Sequence, residues 1–164
     1  MTALGRGQVA KMRAYASGTT VPVEKTRVDI ERLLVRHGAS QFGIVSDTDR
    51  GLAMVLFTLE SRQVRLKLPL PLLAGFAKEG RRKCTKEAQV RRWEQASRER
   101  WRAMLLLCKA KLELVELGIS TVEREFLADI ALPNGQTVGD FLHPQLEEAY
   151  VSGGMPPLLP GGAS

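Results

Sequence analysis

Residues 85–118, TKEAQVRRWEQASRERWRAMLLLCKAKLELVELG, decide the fold of this chain of 164 residues. They predict one long helix, because Thr85 can cap its start, no proline or glycine interrupts it, and Gly118 follows its end. At ~1.5 Å per residue the helix would span roughly 48 Å, so the shorter elements are expected to pack against it. Its first half is rich in arginine and its second half in leucine.

Successive residues of an α-helix are rotated by ~100° about its axis, and on this basis the predicted helix has two distinct faces. One face carries a basic stripe made of Arg91, Arg98, Arg102 and Lys109. The other face, roughly 110° away, is expected to contact the core. It runs through Val90, Trp93, Ser97, Trp101, Met104, Cys108, Leu112 and Val115. Beyond Ala103 further leucines widen the apolar surface, so we expect this half to be buried on several sides or partly by another chain.

The net charge of +6 is concentrated around the start of this helix. Residues 78–102 contain ten Lys and Arg but four acids, which accounts for the whole excess. A local basic patch attracts anionic partners, whereas a diffuse charge mainly serves solubility. Residues 103–150 are acidic, with three bases against eight acids, and two ends of opposite charge would favour head-to-tail association into a homo-oligomer.

The basic stripe has two interpretations. In the first it is a solvated face, since Glu87–Arg91 and Glu94–Arg98 are helical pairs four residues apart, worth ~0.3–0.5 kcal/mol each. In the second it binds the phosphates of DNA or RNA, and Trp93 and Trp101 would stack on bases if exposed, although their helical phase favours burial. The candidate nucleic-acid-binding residues are Arg81, Arg82, Lys83, Arg91, Arg98, Arg102 and Lys109.

The chain before the long helix predicts a helix and a small sheet. Residues 24–37 have apolar side chains at helical spacing and end at Gly38. Three strands are expected over 41–46, 52–59 and 62–68, of which the second is apolar on both faces and therefore central or covered on both sides. Prolines then end the sheet, and residues 72–83 form a connector.

Two short helices are expected after Gly118. Ser120 and Glu123 have the spacing of a capping box, which predicts a helix to about Asp129. Thr137 is expected to cap a second helix that is broken or restarted at Pro144 and reaches about residue 150. The whole pattern predicts an α+β fold, in which a three-stranded antiparallel meander packs with one long helix and several shorter helices.

The domain organisation expected is one domain over residues 21–150 between two atypical ends. Residues 1–20 predict a flexible basic arm, with Arg6, Lys11 and Arg13. Residues 151–164 form a Gly/Pro-rich tail whose segment MPPLLP, 155–160, favours polyproline II. We interpret this tail as a strap across the protein's own surface or as disorder, and otherwise as a docking peptide for a partner groove.

Several function classes are not indicated by the sequence. No apolar run approaches the ~20 residues that cross a bilayer, and the first residues lack a secretory signal. Cys84 and Cys108 fit a reducing compartment. Asp47 and Asp49 suit a turn better than a calcium loop, and His37 suits a capping or core role. We therefore expect no catalytic residues, no metal and no cofactor, and a protein that is not an enzyme.

The chain also resembles a known group of proteins through several stretches: YAS at 15–17, VPVEK at 21–25, RHGA at 36–39, RWEQ at 92–95, RWRA at 100–103, KAKLE at 109–113, LPNGQTVG at 132–139 and MPPLLP at 155–160. With these it resembles a family of small bacteriophage- and prophage-encoded proteins that have no established activity. The resemblance implies the cytoplasm of a bacterial host and assigns no role to any residue.

Two function hypotheses follow. The first is a non-enzymatic phage accessory protein that binds nucleic acid or a nucleoprotein complex through the basic face of the long helix. It predicts that substituting Arg91, Arg98 or Arg102 by alanine weakens binding about equally for all sequences. The alternative is a protein-interaction module, such as an inhibitor of a host enzyme or a homo-oligomeric adaptor, which the wide apolar surface and the proline-rich tail favour.

Overall fold

The computed structural model describes residues 16–154, and every structural statement below concerns this part of the chain. It contains four helices, five strands and two 3-10 turns. In chain order they are α1 (Val23–Arg36), β1 (Gln41–Asp47), β2 (Leu52–Leu59), β3 (Arg62–Pro69), a 3-10 turn (Leu73–Phe76), β4 (Lys78–Glu79), β5 (Arg82–Lys83), α2 (Lys86–Glu116), α3 (Val122–Phe126), a second 3-10 turn (Leu127–Asp129) and α4 (Val138–Ser152). The predicted α+β fold is confirmed.

The main sheet is an antiparallel meander in the order β1-β2-β3. Its register places Ile44 opposite Val55, and Val55 opposite Leu66. β2 and β3 are joined by Glu60 and Ser61, which both have positive φ, at 47° and 64°. Two left-handed residues in succession match the right-handed twist of the strands, which explains how a two-residue loop closes this hairpin. The strand β2 is central, as predicted.

The core lies between one face of this sheet and helices α1, α2 and α3. Alternate residues of β2 and β3 are buried there, and they pack with Ile30 and Leu34 of α1 and with Phe126 of α3. The rings of Phe57 and Phe126 meet edge to face, with centroids 5.4 Å apart. On the other face of the sheet the residues of β2 are half-buried. On the same face, Lys67 of β3 bonds to Asp140 at the start of α4.

The helix α2 begins as predicted, because the side chain of Thr85 accepts a hydrogen bond from the Ala88 N–H at 3.2 Å. Its buried residues are Ser97, Trp101, Met104, Cys108 and Leu112, which confirms the expected core face from position 97 onward. Val90 and Trp93 deviate from this expectation, since Val90 is exposed and Trp93 is half-buried. The first turns of α2 extend past the core and bond to the segment before the helix, through the carbonyls of Pro71 and Leu73.

The leucine-rich half of α2 does not follow the first of its two expected arrangements. Within residues 16–154 it is not buried on several sides, because Leu106, Leu107 and Leu117 are exposed, Leu117 to 63 %. Partial burial by another chain stays a prediction. Among the described residues, the neighbouring elements α1, β3 and α3 cover the core face of the helix and leave its outer side open.

Two predicted details of the last helices were wrong. Thr121, not Ser120, caps α3, since its hydroxyl accepts from the Arg124 N–H at 3.2 Å. The helix α4 is not interrupted at Pro144 but continues through it. A capping box between Thr137 and Asp140 secures its start, and α4 is exposed enough for water to satisfy the carbonyl that Pro144 leaves without a donor.

Candidate nucleic-acid interface

The predicted connector contains a small basic β-hairpin. Strands β4 and β5 pair antiparallel, with Lys78 opposite Lys83 and Glu79 opposite Arg82. Gly80 occupies the loop with φ at +59°, a conformation that suits glycine. Arg81 follows it at the tip. All six residues from 78 to 83 are exposed, so the hairpin projects its cations into solvent.

Arg92 of α2 holds this hairpin in place. Its guanidinium donates to the Lys78 carbonyl at 3.2 Å and to the Cys84 sulfur at 3.4 Å, and it lies over the Phe76 ring, 5.8 Å from the centroid. The Cys84 N–H also donates to the Ala77 carbonyl at 3.0 Å, which closes the base of the hairpin. Three contacts of Arg92 therefore fasten the hairpin and the turn before it to the start of α2, and one backbone bond closes the base of the hairpin.

Six exposed cations form a continuous group on this hairpin and the first turns of α2. We call Lys78, Arg81, Arg82, Lys83, Lys86 and Arg91 the basic hairpin patch. Within residues 16–154 none of the six is in an ion pair with another side chain. The acids beside them are Glu79 and Glu87, so the patch keeps an excess of positive charge.

The two central arginines of the predicted stripe are engaged within the protein. Arg98 donates to the Gln95 side chain at 2.8 Å and lies 3.9 Å from Glu94. Arg102 lies 3.6 Å from Asp29 of α1, and both side chains of this pair are three-quarters buried or nearly so. A guanidinium paired with a carboxylate attracts a phosphate less strongly. Arg98 and Arg102 therefore differ from Arg91, which is in neither of these pairs.

The carboxylate of Glu99 weakens the stripe further. It accepts hydrogen bonds from the Gln95 side chain at 3.0 Å and from the Gly18 N–H at 2.9 Å. These bonds lower its pKa, so Glu99 is ionised at neutral pH, next to Arg98 in the chain and to one side of the stripe. Lys109 is exposed, but it lies eighteen residues beyond Arg91, or ~27 Å along the helix. The structure therefore does not bring Lys109 to the hairpin.

Two further arginines of the basic segment serve as clamps. Arg92 fastens the hairpin, and Arg100 donates to the Pro69 carbonyl at the end of β3, at 2.6 Å.

Lys78 and Lys86 join the patch although the sequence did not single them out as binding residues. Their position in a run of cations was the available signal, but the hairpin that groups them was not predicted.

The tryptophans contribute little exposed aromatic surface. Trp101 is 2 % exposed, and Arg27 of α1 lies over its ring, so it cannot stack on a base. Trp93 is half-buried, and its indole N–H donates to the Pro71 carbonyl at 2.7 Å. The expectation that burial is favoured is confirmed for Trp101. Recognition at this surface would therefore depend on charge rather than on stacking.

One group of side chains in the described part has donor atoms close enough for a metal ion. His37, Glu113 and Glu116 offer atoms within 4.8 Å of one another. The His37 Nδ1 lies 3.0 Å from the Glu116 carboxylate, a contact that joins the end of α1 to the end of α2. Both glutamates are exposed, and a hydrogen bond between the two helix ends accounts for the arrangement without an ion.

Comparisons with known proteins found no matching family model, no matching curated protein and no matching solved structure. Among the helices of residues 16–154, none has the length and apolar character needed to cross a membrane.

Proposed function

We propose that this protein binds nucleic acid, or a nucleoprotein complex, through the basic hairpin patch, and that it acts by binding rather than by catalysis. The single observation that supports this is the hairpin itself. It presents exposed cations, and Arg92 holds it in place on α2. Of the candidate residues, the proposal keeps Arg81, Arg82, Lys83 and Arg91, and it adds Lys78 and Lys86. It leaves out Arg98, Arg102 and Lys109, which lie further along α2.

A projecting two-stranded ribbon has a shape that suits the major groove of DNA, which admits an α-helix or a β-ribbon. Lysine and arginine on such a ribbon would neutralise phosphates and release counterions, so the affinity would fall steeply with salt. The patch consists of cations, and the one aromatic ring described beside it, Phe76, is half-buried with Arg92 over its ring, so we propose contacts with phosphates in preference to sequence-specific contacts with bases.

A role as a bacteriophage accessory protein in the cytoplasm of a bacterial host also belongs to this proposal. It rests on the family resemblance of the sequence. The three basic residues of the predicted arm, Arg6, Lys11 and Arg13, lie outside the described residues and would add to the same charge.

The test is a binding titration with a short DNA duplex, a single strand and an RNA, each between about 50 and 200 mM salt. The variant combines Arg81→Ala, Arg82→Ala and Lys83→Ala in the full chain. We expect it to lose affinity about tenfold or more at low salt, and to reduce the salt slope by about three, because each phosphate contact contributes about one.

The matched control removes the same charge from another exposed surface. It combines Lys25→Ala, Arg32→Ala and Arg36→Ala on α1, all of which are exposed. We expect it to retain most of the affinity and the salt slope. The proposal is wrong if the unaltered protein binds none of the three nucleic acids at low salt. It is also wrong if the two triple variants lose affinity equally.

A second candidate function, a homo-oligomeric protein-interaction module, is favoured by the outer side of α2. Residues Ala103, Leu107, Ala110, Leu114 and Leu117 are spaced alternately four and three apart, the spacing of a coiled-coil seam. Four of the five are exposed, and Leu114 is half-buried. An apolar line on the solvent side of a long helix is suited to pairing with the same helix of a second copy.

A further inference from the structure

An apolar groove lies on the side of the molecule formed by the last helices. Its volume is about 880 Å³. Leu127 and Ala128 of the second 3-10 turn form one wall, and Leu142, Leu146 and Tyr150 of α4 form the other. These three α4 residues are four apart, so they lie in a line along one side of the helix.

The apolar side of α4 has little cover among the described residues. No residue of α4 inside the groove is buried, and Leu146, Tyr150 and Val151 are 51 %, 89 % and 90 % exposed. The start of α4 is packed tightly, since a Cβ on Gly139 would lie 2.8 Å from the Ala128 carbonyl oxygen. The groove is therefore closed at the start of α4 and open at its end, where large side chains face water.

The chain itself continues from the open end. Gly153 ends α4 with φ at +70°, a left-handed residue that turns the backbone away from the helix axis. The sequence then contains MPPLLP at 155–160, and no residue from 151 to 164 is charged. Six residues of polyproline II span ~19 Å, whereas Leu142 and Val151 are ~14 Å apart along the helix. The segment is long enough to cover the groove.

We propose that residues 155–160 lie in this groove of the same chain, with Leu158 and Leu159 against Leu142 and Leu146 and the prolines against Tyr150. The charges of the groove favour an uncharged occupant, because Lys111 and Arg124 are balanced by Glu125 and Glu147. A tether of two residues also gives the segment a local concentration of order millimolar, so a weak contact is enough to keep it bound. This contact is independent of the nucleic-acid proposal.

The first test measures the fluorescence of an apolar dye, anilinonaphthalene sulfonate, added to three full-length proteins. The variant Leu158→Asp with Leu159→Asp should free the groove and raise the fluorescence several-fold over that of the unaltered chain. The control, Ala163→Asp with Ser164→Asp, adds the same charge to the same tail beyond the segment and should leave the fluorescence unchanged. Equal fluorescence in all three proteins overturns the proposal.

The second test traps the contact by a disulfide, in a chain with Cys84→Ser. Leu146→Cys with Leu158→Cys should oxidise to a monomer with an internal bond, whereas Val35→Cys with Leu158→Cys should not, because Val35 lies on α1. Equal oxidation of the two pairs, no bond in the first pair, or a bond between two chains overturns the proposal. The last outcome would identify a second copy as the source of the segment.

Discussion

The two cysteines show how strongly surroundings change the chemistry of one residue type. Cys108 is fully buried on the core face of α2, and its sulfur lies 3.9 Å from the Met104 sulfur. Burial raises the pKa of its thiol to about 12. Cys84 is half-buried at the base of the basic hairpin, next to Arg92. The two thiols should therefore differ greatly in reactivity, since the thiolate is the reactive form.

This difference predicts the result of a thiol titration with a disulfide reagent at pH 8. We expect one thiol, Cys84, to react in the folded protein and Cys108 to react only after unfolding. A rise of about three in pKa alone reduces the thiolate fraction about a thousandfold. The Cys84→Ser variant should show no fast reaction, and two thiols of comparable rate in the folded protein would contradict the prediction.

Arginine shows the same dependence on surroundings. Arg91 and Arg102 have nearly the same helical phase, yet Arg91 is exposed, whereas Arg102 lies 3.6 Å from Asp29 of a different helix. Arg100 donates a hydrogen bond to a backbone carbonyl of β3. For this reason we expect the charge of the hairpin to contribute more to binding than the charge in the middle of the predicted stripe.

At the scale of single elements, α4 depends on contacts at its start. Thr137 and Asp140 form a capping box, and the Asp140 carboxylate also accepts from Lys67 of β3 at 2.7 and 2.8 Å. The Lys67 contact, followed by the bonds with Thr137, lowers the pKa of Asp140 below its ordinary value of 3.8. One aspartate therefore caps α4 and ties it to the sheet.

The lowered pKa predicts a dependence of stability on pH. The folded state favours the ionised carboxyl, so Asp140 contributes its full stabilisation above pH 3.8 and loses it as the pH falls through the lower folded value. The Asp140→Asn variant should unfold at lower urea concentration than the unaltered protein at pH 7. This difference should shrink as the pH approaches 3, because protonation then removes the same charge from the unaltered protein.

The control for this measurement is Asp49→Asn, in the exposed turn between β1 and β2, because the Asp49 carboxylate is in no ion pair within residues 16–154. Its difference from the unaltered protein should be small at both ends of the pH range. A difference for Asp140→Asn that is the same at pH 7 and at pH 3 would show that its carboxylate charge has no part in holding α4.

At the scale of the whole molecule, α2 joins three surfaces with different chemistry. Its start supports the basic hairpin patch, its inner side packs against α1, α3 and the sheet, and its outer side presents the apolar line from Ala103 to Leu117. Large exposed apolar surfaces on a soluble domain generally mark a contact with another molecule.

The outer side of α2 predicts self-association, which sedimentation velocity of the full chain can measure. We expect a dimer whose population rises with concentration and which the variant Leu107→Asp with Leu117→Asp converts to a monomer. The matched variant, Val28→Asp with Val35→Asp, places the same charges on exposed valines of α1 and should stay dimeric. An unaltered chain that remains monomeric at every accessible concentration would contradict this role of α2.

Most elements of the fold could be predicted from the sequence because their signals are local. The cap at Thr85, the alternation in β3 and the prolines at its end act within a few residues of the backbone they shape. The wrong assignments, the cap of α3 and the break at Pro144, also concern local chemistry, but at positions where two neighbouring residues could cap or where water can replace a donor.

By itself the sequence determined the α+β class, the position of α2, its core face from Ser97 onward and the concentration of charge near its start. Only the tertiary structure decided which of those charges are exposed. Helical periodicity sets the direction of a side chain, but the partner it meets comes from a distant part of the chain. Arg102 lies beside the Asp29 carboxylate, Arg100 donates to the Pro69 carbonyl, and Arg92 donates to the Lys78 carbonyl. The exposed cations of the patch lie on the hairpin and on the first turns of α2, where no such partner meets them among the described residues.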